Sequence, residues 1–298
     1  TMLDPNLPKA HYYLGGILVE KGKFTEAKES IKKAIELKSD FPEAFFLLSK
    51  LISSGDDQLW QDKILSIDIT KSRNRNDLIN LNFAKANILH NQKNYKESAK
   101  YLKLANNNKL SFYPSESNSI IKKTKYLFDY STVKINSNIE NKSTNQHIFI
   151  VGMPRSGSTL IESILSLNNN VTELGETTFL ENSFNEFMKR QGSNNELDLA
   201  KVYSDKINLL KGSSEISIDK CLPNYQYSGI IAKCIPQARI IHCYRNPFDN
   251  ILSIYRANFA IGSHLLRYSS DLVDCAKVYL DEEKIMSKYK QIYPSMIY

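Results

Sequence analysis

His147-Ile-Phe-Ile-Val-Gly-Met-Pro-Arg-Ser-Gly-Ser-Thr-Leu-Ile161 is the stretch that decides the fold. His147 to Val151 is mostly apolar and β-branched or aromatic, the composition of a buried strand. A turn of small residues follows, and Leu160-Ile-Glu-Ser-Ile-Leu165 then carries helical spacing. A strand, a glycine- and serine-rich loop and a helix form an arrangement that binds phosphate. The first amides of the helix lack intrahelical partners and point at an anion, and the helix dipole adds to the attraction.

The loop differs from a nucleotide P-loop, which needs Gly, four residues, then Gly-Lys-Ser/Thr. Gly152 and Gly157 have that spacing and Thr159 supplies the final hydroxyl, but Ser158 occupies the lysine position. The loop's cation is Arg155, placed inside it. Without the lysine that reaches the β- and γ-phosphates, ordinary ATP chemistry is disfavoured. No Walker B aspartate is evident either, so a P-loop kinase or NTPase is the weaker reading. A plain turn without a ligand is the other alternative, against which stands the meeting of Gly, Pro, Arg and three hydroxyls.

A second segment, Ala238-Arg-Ile-Ile-His-Cys-Tyr-Arg-Asn-Pro-Phe-Asp-Asn-Ile-Leu-Ser-Ile-Tyr-Arg256, repeats the strand-to-helix pattern. Arg239 to Cys243 reads as a buried strand, Pro247 suits the first turn of a helix, and Ile251, Leu252 and Tyr255 recur at helical spacing. Arg245 then stands at the C-terminal end of a strand, where open α/β sheets bind ligands. Its guanidinium fork fits a terminal phosphate, although an ion pair with Asp249 would use it equally well. Only eight of the 39 basic residues are arginine, and Arg155, Arg245 and Arg256 fall in these two segments. A lysine-rich chain that places arginine there points to planar, multidentate contacts.

Both segments resemble the sulfotransferases that use 3′-phosphoadenosine 5′-phosphosulfate (PAPS). The similarity lies with the branch that includes tyrosylprotein sulfotransferases and bacterial tetratricopeptide-linked sulfotransferases. The resemblance implies a 5′-phosphosulfate loop of Pro154, Arg155, Ser156, Gly157, Ser158 and Thr159, and a 3′-phosphate site of Arg245 and Ser253. It implies PAPS as co-substrate and no metal. Gly175-Glu176-Thr177-Thr178 is similar to the Gly-Glu-Glu-Thr stretch that carries the family's base, which favours Glu176 and leaves Glu173 in play. Asp219-Lys-Cys-Leu-Pro-Asn224 is similar to a family element that makes Lys220, with Arg155, a cation for the leaving-group oxygen. A surface ion pair between Lys220 and Asp219 is the alternative. The histidine base of cytosolic sulfotransferases has no counterpart near this stretch. The acceptor expected is a hydroxyl on a protein (tyrosine included), a peptide, a sugar or a small alcohol. Related proteins continue beyond a strand like the one starting near Met296, which raises the expectation of a C-terminally truncated domain. A catalytically inactive nucleotide-binding or partner-binding scaffold therefore stays open as a reading.

The N-terminal third is repetitive. Pro8, Ala10, Leu14, Gly15 and Leu18 recur 34 residues later as Pro42, Ala44, Leu48, Ser49 and Ile52, the tetratricopeptide period. Lys23-Phe-Thr-Glu-Ala27 and Ala34 have a looser echo in Asn94-Tyr-Lys-Glu-Ser98 and Ala105. Small residues let paired helices approach, and each pair leaves an apolar face that a neighbour covers. Such a stack either supports the second domain or holds a protein partner. The expected architecture is α + α/β. Tetratricopeptide repeats span 1–110, a helix and polar linker 111–146, and a P-loop-like sulfotransferase domain with a parallel sheet 147–298, including a helical insert over 179–211.

Composition bounds the rest. The 298 residues suggest two domains, and 42% hydrophobic content suffices for their cores. No run reaches the roughly 18 apolar residues of a membrane helix, and the first residues, which look mid-repeat, show no signal peptide. Cys221, Cys234, Cys243 and Cys275 lack CxxC spacing and read as reduced thiols. The five histidines lack metal-ligand spacing, and His242 reads as a core residue. The +7 net charge is scattered lysine without a basic, aromatic-laced stripe, so neither nucleic acid nor membrane is an expected partner. Heavy Lys, Asn and Ile usage points to a bacterial, cytoplasmic protein.

Overall fold

The computed structural model describes residues 5–53, 55, 57–69, 74–133, 146–190, 198–212, 214–260 and 264–298. They form two compact units: Thr1–Pro114 with Arg256–Gly262, and Ser115–Tyr255 with Ser263–Tyr298. No helix among the described residues is long and apolar enough to cross a membrane.

The first unit is helical: α1 (Pro8–Glu20), α2 (Phe24–Leu37), α3 (Pro42–Ser49), α4 (Gln58–Ser66), α5 (Arg75–Asn91) and α6 (Tyr95–Phe112). Prolines open α1 and α3, where a missing N–H costs nothing. The small residues of the repeat do what its period requires. A Cβ on Gly15 would come within 2.5 Å of Ile31 Cγ1, so α1 lies on α2 at a distance that only glycine permits. At the equivalent position one period later, Ser49 is fully buried and its Oγ accepts from Asn87 Nδ2 at 3.0 Å. Ala27, Ala34, Ala44 and Ala105 are likewise fully buried. In the looser third copy, Ser98 Oγ donates to the Ala86 carbonyl at 2.7 Å. Lysine also serves the interior here: Lys85 Nζ donates to the carbonyls of Leu65 (2.8 Å) and Ile67 (2.7 Å), which α4 leaves open at its C-terminus.

The second unit holds a parallel sheet of order β2-β3-β1-β4: β1 (Gln146–Gly152), β2 (Val171–Gly175), β3 (Ile216–Asp219) and β4 (Ala238–Cys243). Beyond β4, Ile240 pairs in parallel with Ile297, and His242 N–H donates to the Tyr298 carbonyl at 3.0 Å. The helices are α7 (Ser117–Val133), α8 (Ser158–Leu165), α9 (Phe179–Arg190), α10 (Leu199–Lys211), α11 (Ser228–Cys234), α12 (Pro247–Tyr255) and α13 (Leu272–Ile292). β1 is apolar on both faces because both are covered. Phe149 and Val151 pack with Tyr203 of α10, Ile230 and Ile231 of α11 and Met286 and Tyr289 of α13. Ile150 faces the other way, with Ile218 and, from α8, Ile161 and Leu165.

The helix read within 111–146 is α7, and Leu127 and Tyr130 on it join the core of the second unit. Most of the polar linker, residues 134–145, lies outside the described residues. The helical insert appears as α9 and α10, with 191–197 outside the description. Arg256, grouped by sequence with Arg155 and Arg245, goes elsewhere: its Nη1 meets His90 Nε2 at 2.7 Å in the first unit. Asn258 and Phe259, just after it, are held there too. Asn258 Nδ2 donates to Asn80 Oδ1 at 2.9 Å, and Lys109 Nζ donates to the Phe259 carbonyl at 2.9 Å.

Candidate active site

The loop between β1 and α8 is shaped by three residues with positive φ. Gly152 (+135°) ends the strand, Arg155 (+67°) turns the loop and Gly157 (+98°) precedes the helix. At Gly152 a Cβ would fall 2.3 Å from the Cys243 carbonyl oxygen, so the first glycine of the motif is needed to pass β4. The loop is tied down from α12, where the fully buried Asn250 donates through Nδ2 to the Pro154 carbonyl at 2.9 Å. Ser156 Oγ is buried without a hydrogen-bond partner. Ser158 opens α8 and is buried, and Thr159 beside it is exposed. A hydroxyl with no partner, beside the free amides of a helix start, suits an anionic group such as a phosphate.

The two sequence segments meet. Arg155 Nε donates to Ser253 Oγ at 3.3 Å, and Arg245 Nη1 donates to the Arg155 carbonyl at 3.4 Å. Arg245 follows the end of β4, and its own carbonyl accepts from Tyr279 Oη of α13 at 2.8 Å. No Arg245–Asp249 ion pair occurs among the described residues. Asp249 N–H instead donates to Asn246 Oδ1 at 3.3 Å, part of the start of α12.

A second cluster stands at the ends of β2 and β3. Lys220 Nζ lies 2.9 Å from Glu176 Oε1 and 3.4 Å from Glu162 Oε2. The side chains of Lys220 and Glu162 are each 9% exposed and that of Glu176 69%, so the lysine joins an inner carboxylate to an outer one. Burial alone would pull the Lys220 amine down. The hydrogen bonds and charges of Glu176 and Glu162 outweigh it and hold the amine above its usual range. Burial raises the Glu162 carboxyl, Lys220 opposes that rise, and the charges of Glu173 and Glu176 add to it. Glu173 is exposed on β2 beside a register shift.

The surface pair of Lys220 with Asp219 does not form. Asp219 points inward and is 1% exposed, and it accepts from Tyr203 Oη at 3.0 Å, Cys221 N–H at 3.1 Å and Asn224 Nδ2 at 3.2 Å. Burial lifts its carboxyl to about 7. Alternation along β3 explains the split: consecutive residues face opposite ways, so Asp219 fastens the strand end while Lys220 faces the carboxylates.

Of the residues expected from sequence, the Pro154–Thr159 loop meets Arg245 and Ser253, and Glu176 meets Lys220; Glu162, Asn250 and Tyr279, which contact them, were not among those expected. Glu162 had a signal. It breaks the apolar run after the loop, four residues beyond Ser158 and hence on the same face of α8. Asn250 and Tyr279 had none, because their roles depend on tertiary neighbours. The four cysteines are free thiols, three of them buried. His242 is buried and its Nε2 lies 2.6 Å from Glu282 Oε1, a polar pair inside the core.

The sulfotransferase family profile matches residues 147–298 and a tetratricopeptide repeat profile matches residues 8–41. The chain belongs to the sulfotransferase family, with tetratricopeptide-type helices ahead of the α/β unit. It is similar to a protein of Aquifex aeolicus (strain VF5) described as an uncharacterized protein. The two are 30% identical over 168 residues, which cover 51% of this chain and 22% of that relative. This chain thus spans about a fifth of the relative's length. Transfer of a sulfonate group is the family's chemistry.

Proposed function

We propose that the α/β unit transfers a sulfonate group from PAPS to a hydroxyl acceptor, a protein tyrosine among the candidates. The observation that carries this reading is the junction of the two anion-binding segments through Arg155, Ser253 and Arg245. Arginines on one face of the sheet end suit one adenosine donor with a phosphate at each side; arginines on separate faces would not.

In this reading Pro154 to Thr159 hold the 5′ end of the donor and Arg245 with Ser253 holds its 3′-phosphate. The donor supplies the sulfonate and a phosphate leaving group. Glu176, outermost in the cluster, takes the proton as the acceptor O–H bond breaks and the O–S bond forms. Lys220 and Arg155 bring positive charge to the bridging oxygen, which keeps the electron pair of the broken S–O bond. The 2.9 Å contact between Lys220 and Glu176 supports a base and a cation that act side by side. The four free thiols suit a reducing bacterial cytoplasm, and the repeat unit suits a protein partner.

The test compares melting shifts with adenosine 3′,5′-bisphosphate, ATP and AMP, since a ligand of the native state stabilises it by RT ln(1 + [L]/Kd). The bisphosphate is expected to act at the lowest concentration. An equal response to ATP would point instead to a nucleoside triphosphate enzyme. Glu176→Gln is expected to keep the bisphosphate response and lose transfer from PAPS to a tyrosine peptide or p-nitrophenol. Unchanged turnover would remove Glu176 as the base.

A further inference from the structure

We infer that Glu162 is the positioning residue that holds Lys220 in place, as a cation, through the moment when Glu176 has taken the acceptor's proton. This rests on the roles proposed for Lys220 and Glu176. The starting observation is a carboxylate where the helix would pack better without one. Glu162 sits on α8 among residues that cover the sheet, and it is 7% exposed. Its Oε1 is buried with no hydrogen-bond partner, and its Oε2 is 3.4 Å from Lys220 Nζ. A buried carboxylate is costly unless paired, and Lys220 is the cation that pairs with it.

The charges around the pair define what Glu162 does. Lys220, Glu173, Glu176 and Asp219 all act electrostatically on Glu162 or receive its field. Of these, Glu176 is the one that the chemistry neutralises. Before transfer, Lys220 lies between two carboxylates, one inside and one outside. Once Glu176 carries a proton, its attraction for the ammonium collapses, just as negative charge grows on the leaving oxygen. A lysine with one anionic partner would then be free to swing, and its burial would favour the neutral amine. Loss of the Glu176 charge also removes one of the repulsions that raise the Glu162 carboxyl, so the inner carboxylate is left as the ammonium's partner. The cation therefore stays charged and stays at the end of β3, where its backbone N–H donates to the Gly175 carbonyl at 3.1 Å. The inner carboxylate makes the lysine's charge independent of the base's proton.

The experiment compares wild type, Glu162→Gln and Glu162→Asp in three readouts. These are the melting shift with adenosine 3′,5′-bisphosphate, turnover of PAPS with p-nitrophenol against pH, and the pH dependence of Lys220 acylation by acetic anhydride read by mass spectrometry. Glu162→Gln is expected to keep its bisphosphate response to within about twofold and to lose on the order of 10²-fold in kcat, with KM little changed. The alkaline limb of its rate profile should move to lower pH, and Lys220 should become acylated at lower pH. Glu162→Asp, which keeps the charge, should recover part of both. An unchanged kcat with an unchanged acylation profile would overturn the inference. So would loss of the bisphosphate response in Glu162→Gln, which would mark a purely structural role. A wild type that ignores the bisphosphate would sink the donor reading instead, and the acylation profiles would still show whether Glu162 governs the Lys220 charge.

Discussion

The guanidinium of Arg245 donates to the backbone carbonyl of Arg155 at 3.4 Å, and the side chain of Arg155 reaches back to Ser253 at 3.3 Å. The arginine of one segment thus braces the loop of the other, while the arginine of the loop touches the helix that follows the first. Neither segment is independent of the other. Ninety residues separate Arg155 from Arg245 in sequence, and parallel pairing of β1 with β4 closes that gap, with Gly152 opposite Cys243.

That coupling gives a prediction for Arg245→Ala. It should lose the phosphate contact proposed for Arg245 and also loosen the Pro154–Gly157 loop. Charge-assisted hydrogen bonds are worth about 1.5–3 kcal/mol each, so the bisphosphate affinity should fall by roughly 10- to 100-fold. Titration calorimetry with adenosine 3′,5′-bisphosphate and with AMP reads it. AMP lacks the 3′-phosphate and should lose less; equal losses would show that Arg245 acts on the loop alone.

Gly152→Ala should be among the most damaging substitutions in the second unit. The residue has φ +135° and a Cβ there would lie 2.3 Å from the Cys243 carbonyl oxygen. Backbone, not a flexible side chain, is the obstacle, so β1 and β4 would have to separate at the mouth of the site. A loss of about 3 kcal/mol or more is expected from strain plus overpacking. Urea denaturation checks it, and a loss below about 1 kcal/mol would mean that the strand ends adjust easily.

His147 makes stability depend on acid. Its Nδ1 lies 2.8 Å from Ser217 Oγ, and burial first, then the charge of Lys211, lowers the imidazole to about 4. The unfolded chain takes up this proton from about pH 6.5 downward and the folded chain resists it. The stabilising contribution is thus whole above pH 6.5 and is lost as pH falls towards 4. It amounts to about 3 kcal/mol. Denaturation midpoints across that window should show the loss, and His147→Gln should flatten it. A slope unchanged in the variant would assign the acid sensitivity to other groups.

The architecture was open to sequence reading because its signals are local. An apolar run bounded by glycine announces β1, Pro247 announces α12, and a 34-residue period announces the helix pairs. The loop residues could be read for the same reason. What escaped was set by packing. Lys220 could have turned to Asp219 or away from it, and only the pleat of β3, with Tyr203 and Asn224 waiting inside, decides that Asp219 is consumed by the core. Arg256 sits in the same motif as Arg245, yet it leaves for His90, a partner 166 positions away. Nothing near Arg256 in sequence foretells that.

Arg155 adopts a backbone shape that glycine would adopt freely, at a cost on the order of 1–2 kcal/mol for a residue with a side chain. At this one position the fold and the chemistry want different amino acids. Selection for durability alone would drift towards glycine, relaxing the turn while discharging it. If Arg155 carries the charge proposed for it, the chain gives up sturdiness at this one turn for reactivity, and Arg155→Gly would be the sturdier and less reactive protein.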